Sequence, residues 1–105
     1  MSLGDKTHAL ISAAGSEDTT PEKMKSMIDG VKSDPELVHT GAVLPMLQLA
    51  LQAALTPGND DDSERRLGVI QAVVDALAED CGRKYVRTMI EARGNNGRII
   101  DKIFD

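Results

Sequence analysis

The stretch from Val43 to Leu55, VLPMLQLALQAAL, limits what this chain can become. Ten of its thirteen residues are apolar, and the exceptions are Pro45, Gln48 and Gln52. The two glutamines stand at i and i+4, so on a helix they share one narrow stripe. Everything else on that helix points toward hydrocarbon. A helix that is apolar nearly all round belongs in the middle of a fold. The expectation is a buried central helix over about 43–55, against which the other helices pack.

A chain of 105 residues supports one domain, read here as residues 1–105. Only Tyr85 and Phe104 are aromatic and there is no Trp, so the core must be aliphatic. Few aromatics and few β-branched runs favour helix over sheet. The predicted fold is all-α: five or six short helices packed as an irregular bundle around the buried 43–55 helix.

The remaining helices are signalled locally. DKTHALISAA (5–14) reads as a first helix stopped by Gly15. Thr20-Pro21-Glu22 is an N-cap, a first-turn proline and an acid suited to the helix dipole. Met24, Met27, Ile28 and Val31 then follow at i, i+3, i+4 and i+7. Asp34-Pro35-Glu36 repeats the start signal for a short turn over 35–39, with a bend at Thr40-Gly41. One long helix from 35 to 55, kinked at Pro45, is the alternative. Thr56-Pro57-Gly58 closes the central helix. Asp61 and Glu64 have capping-box spacing ahead of a helix over about 62–79, with Leu67, Ile70, Val74 and Leu77 inward. Gly68 inside it weakens the helix but permits a close neighbour. After a break at Cys81-Gly82, a helix over about 83–92 turns Val86, Met89 and Ile90 inward. Asn95-Asn96-Gly97 is a turn. The tail RIIDKIFD sets Ile99, Ile100, Ile103 and Phe104 at helical spacing, ready to dock on the core or on a partner. Met24, Met27, Met46 and Met89 read as core filler.

The net charge of −5 is unevenly spread. Residues 1–64 hold four lysines against eleven carboxylates, and residues 65–105 eight cations against six carboxylates. An acidic front and a basic back attract each other, within one molecule or between two. The overall balance argues against non-specific nucleic-acid binding. One cysteine, Cys81, allows no internal disulfide, which suits a reducing compartment. Residues 1–15 lack a signal-peptide pattern, and 43–55 is too short to span a bilayer, for which roughly 20 apolar residues are needed. A cytoplasmic location is expected. Residues 1–4 read as a flexible or cloning-derived lead.

Chemistry is thinly signalled. Asn59-Asp60-Asp61-Asp62 lacks the alternating ligands of a calcium loop and reads as a solvated helix start. His8 and His39 have no Cys or His at metal-ligand spacing. A role for His39 requires Asp34, Glu36 or Cys81 beside it. Cys81 lies where a helix's negative end disfavours a thiolate. Arg83, Lys84 and Arg87 place three cations within about one turn around Tyr85, and Arg65-Arg66 and Arg98 are possible additions. This cluster is the foremost candidate binding site, and Ile99, Ile100, Ile103 and Phe104 are the candidate interaction residues. No cofactor or metal is called for. The leading expectation is a small protein–protein interaction, adaptor or regulatory module that self-associates as a homodimer. A nucleic-acid-associated regulator using the basic cluster comes second. A metal- or His-dependent enzyme around His39 comes last.

Overall fold

Local start and stop chemistry decides where each helix lies. The computed structural model describes residues 3–55, 63–92 and 97–104. Among them run seven helices and no strand: α1 (Leu3–Gly15), α2 (Pro21–Lys32), α3 (Pro35–His39), α4 (Val43–Ala54), α5 (Glu64–Cys81), α6 (Arg83–Glu91) and α7 (Gly97–Phe104). The all-α bundle is as expected. Besides α4, six helices are present, within the five or six expected around it, the short turn at 35–39 and the tail both closing as helices.

Thr20 caps α2, its hydroxyl accepting from the Lys23 N–H at 3.1 Å, with Pro21 as first helical residue. Asp34 does the same for α3, its carboxylate accepting from the N–H groups of Glu36 at 3.0 Å and Leu37 at 3.4 Å. The end of α3 shows why residues 35–55 are not one helix. Gly41 sits at φ +72°. Its N–H donates to Val38 at 3.2 Å, and the next N–H, of Ala42, donates to Leu37 at 2.9 Å. This pair of back-bonds around a left-handed glycine terminates a helix. α4 then restarts with Pro45 in its first turn, where no N–H is required. α5 is capped by Ser63, whose hydroxyl accepts from the Arg66 N–H at 3.3 Å. The cap expected from Asp61 lies outside the described residues, as do the acidic loop 59–62, the stop at 56–58 and the turn at 95–96.

α4 and α5 share the middle. α4 packs on α1 and α5, while α5 packs on α2, α4, α6 and α7. Leu47, Ala50, Ile70, Val73, Val74 and Leu77 are fully enclosed. Each of these side chains larger than Ala50 contributes about 1.5–3 kcal/mol of burial. The solvent strip of α4 is wider than the two glutamines. Pro45, Leu49 and Gln52 are exposed and Gln48 is half-buried. The cause is placement: with α1 and α5 covering the other sides, the row 45, 49, 52 is left open. α5 in turn buries Val69, Val73 and Ala76 besides Ile70, Val74 and Leu77 of the expected stripe, while Leu67 is half-buried, since neighbours meet it from several directions.

Gly68 faces α2 over the Pro21 ring. The radius of gyration is 13.0 Å, that of a single globule of this length. Among the described residues no helix is long and apolar enough to cross a membrane.

Candidate functional site: the groove between α6 and α7

α6 follows α5 with no loop between them. Gly82, at φ +85°, closes α5 by donating its N–H to Ala78 at 2.9 Å and begins α6 as well. Only a residue free to adopt positive φ makes so short a joint. Val86 and Ile90 then anchor α6 inward, both fully buried. With that face fixed, Arg83, Arg87 and Glu91 fall in one outward row and Lys84 and Thr88 in the next. Together with Phe104 they line an open groove of about 500 Å³ between α6 and the end of α7.

The three cations differ in what they touch. Arg83 is a latch for the tail. Its Nη2 donates to the Ile103 carbonyl at 2.6 Å, its guanidinium lies 4.8 Å from the Phe104 ring centre, and its Nη1 stands 3.6 Å from the Asp75 carboxylate. Arg87 pairs with Glu91 one turn on, at 3.3 Å. The Lys84 ammonium is exposed and has no ion pair among the described residues. Tyr85 stands beside them, more than half exposed. α6 has no side-chain cap and no acid in its first turn. Its positive dipole end therefore adds to the cations there, while the nearby end of α5 offsets part of that field. The groove presents positive charge with an aromatic edge, which suits a carboxylate-bearing ligand.

The tail residues are placed inside the molecule. Ile99, Ile100 and Ile103 are buried against the core and Phe104 is half-buried. α7 packs on α5 and α6, so of the two docking modes open to the tail, this chain's own core is the one adopted.

Arg65 and Arg66 do not join the cluster. Arg65 is half-buried and donates to the carbonyls of Ser16 at 3.3 Å and Thr19 at 2.8 Å. Arg66 is 2% exposed and donates to the Ala14 carbonyl at 3.3 Å. Arg65 ties the α1–α2 connector, and Arg66 the last turn of α1, to the start of α5. Arg98 has no described side chain. His39 is exposed on the last turn of α3. Asp34, a possible partner for it, is engaged by the Lys6 ammonium at 2.7 Å. That hydrogen bond holds the Asp34 carboxyl below its ordinary range and raises the Lys6 ammonium above its own. Cys81 is half-buried with a free thiol. No group of three or more His, Cys, Asp or Glu side chains converges as metal ligands among the described residues.

A second groove, of about 350 Å³, runs between α2 and α5. Four carboxylates line it, Glu22, Asp29, Asp75 and Glu79, against Lys25 and Lys32. Lys32 is already engaged, donating to the Ala76 carbonyl at 2.8 Å and to Glu79 at 2.5 Å. The Glu79 carboxyl is lowered below its ordinary range by that hydrogen bond. Periodicity alone found the cations of α6. It did not reveal the acidic groove, because that groove joins helices far apart in the chain.

Compared with known proteins, the chain matches no family model, no curated protein and no solved structure.

Proposed function

We propose that this chain is a small helical protein–protein interaction module, cytoplasmic and self-associating, that receives an acidic protein surface in its α6–α7 groove. The observation that carries this reading is the set Arg83, Lys84 and Arg87 around one open groove, edged by Phe104 and next to exposed Tyr85. Arginine and tyrosine are the side chains that concentrate binding energy at protein interfaces. A nucleic-acid partner is less favoured, because Arg65 and Arg66 are committed to internal carbonyls and the basic footprint shrinks to one helix face.

The test is a titration with capped octaglutamate at low salt, followed by amide NMR. Shifts should concentrate at residues 83–88, and affinity should fall as salt rises. A duplex DNA oligomer should bind more weakly than the peptide. An absence of α6 shifts at millimolar octaglutamate refutes the reading, and tighter binding of DNA replaces it with the nucleic-acid one.

A further inference from the structure

We infer that the partner seated in the α6–α7 groove is the α2–α5 groove of a second copy of this chain, in a two-fold dimer. This rests on the interaction-module reading and names the occupant of that site.

Three observations converge. The α6–α7 groove carries three cations against one carboxylate, Glu91. The α2–α5 groove carries four carboxylates against two lysines. The two surfaces are thus opposite in sign and equal in excess charge. They are also neighbours: Asp75 lines the acidic groove, and its carboxylate stands 3.6 Å from Arg83, which lines the basic one.

Adjacent patches of opposite sign make a surface complementary to itself, which a two-fold dimer can use. Rotation about an axis through the Asp75–Arg83 seam lays each basic groove on the partner's acidic groove, and each contact is made twice. The chain as a whole carries −5, so most mutual approaches of two copies are repulsive. The paired grooves supply an approach in which attraction replaces repulsion. The grooves are small beside a standard interface, so the dimer belongs to the weak, concentration-dependent class. Lys84 and Asp29 are the side chains to probe. Both are exposed, and neither has an ion pair among the described residues.

Lys84→Glu and Asp29→Lys are charge reversals that local electrostatics tolerates. The first puts an acid in the first turn of α6, and the second puts a cation near the end of α2. Sedimentation equilibrium of the full chain from 10 μM to 1 mM, roughly the range of weak complexes, reads the outcome. The wild-type chain should dimerise. Each variant alone should dissociate at least about tenfold more readily. An equimolar mixture of the two variants should recover the dimer, because every reversed groove then meets a reversed partner. Circular dichroism melts confirm that each variant is folded. Three results overturn the inference: a wild-type monomer at 1 mM, single variants that associate like wild type, or a mixture that stays monomeric. If octaglutamate still binds α6 in any of these cases, the second copy is the wrong occupant and the docking reading survives. If it does not, both fall.

Discussion

Gly68→Ala sets two opposing effects on one added methyl group. Alanine in a helix interior is favoured over glycine by about 0.5–1 kcal/mol, so propensity alone predicts a more stable protein. The structure predicts the reverse. A Cβ at residue 68 would lie 2.4 Å from Cγ and 3.0 Å from Cβ of Pro21. These atoms belong to a ring fixed at the first position of α2, not to the free end of a flexible chain, so α2 and α5 must separate by close to an ångström. Overpacking of this kind costs about 1–3 kcal/mol. The net expectation is a loss of about 1 kcal/mol, or about 4–6 °C in Tm for a domain of this size. Urea unfolding followed by helix ellipticity measures it. Pro21→Ala in the same chain removes the ring atom that clashes. The double variant should therefore recover most of the loss, giving a favourable coupling of about 1 kcal/mol. A Gly68→Ala protein more stable than wild type, with no coupling to position 21, would refute the close approach of α2 to α5.

Arg66→Ala should destabilise by about 2–4 kcal/mol, because it removes a buried guanidinium and leaves the Ala14 carbonyl short of a donor; Arg66→Met, which keeps the volume, should lose less. A denaturation midpoint unchanged by Arg66→Ala would show that the side chain is not enclosed. Gly41→Ala should cost about 1 kcal/mol, since residue 41 holds positive φ in the stop between α3 and α4; a neutral result contradicts that stop. The Lys6–Asp34 pair sets a pH dependence. Asp34 titrates lower folded than unfolded, so the pair's contribution is present above the ordinary aspartate pKa of about 4 and is lost as pH falls through the lower folded value. The Tm difference between wild type and Lys6→Met should be full at pH 7 and shrink as pH falls through the lowered folded pKa of Asp34; a difference that does not change with acidification removes the ion pair. Arg83→Met should speed amide exchange in α7, because the carbonyl contact at Ile103 and the ring contact at Phe104 both disappear; unchanged exchange there denies the latch.

What was legible in the chain was what adjacent residues decide among themselves. Thr20-Pro21 and Asp34-Pro35 announce helix starts because the cap, the proline and the freed N–H groups lie within three residues of one another. The stripe of α6 was legible because Val86 and Ile90 repeat at helical spacing, which fixes where Arg83, Lys84 and Arg87 must point. Arg66 was not legible. By type it reads as surface, and the carbonyl that accepts from it belongs to Ala14, 52 residues earlier in the chain. Asp61 and Ser63 are both good caps by type, and only the backbone chooses Ser63 for α5. The exposure of Leu49 was hidden for a related reason: an apolar helix does not state how many neighbours will cover it. The candidate site divides the same way. Its charges were visible in the sequence, while its aromatic edge at Phe104 and its acidic neighbour at Asp75 come from how α5, α6 and α7 are brought together.

The loopless joint at Gly82 leaves α6 no slack. Its direction is set at one end by a single backbone angle and along its length by two enclosed side chains. In the docking proposed for α6 the helix backbone would need no rearrangement, and the ordering cost would fall on the long side chains of Arg83, Lys84 and Arg87 alone.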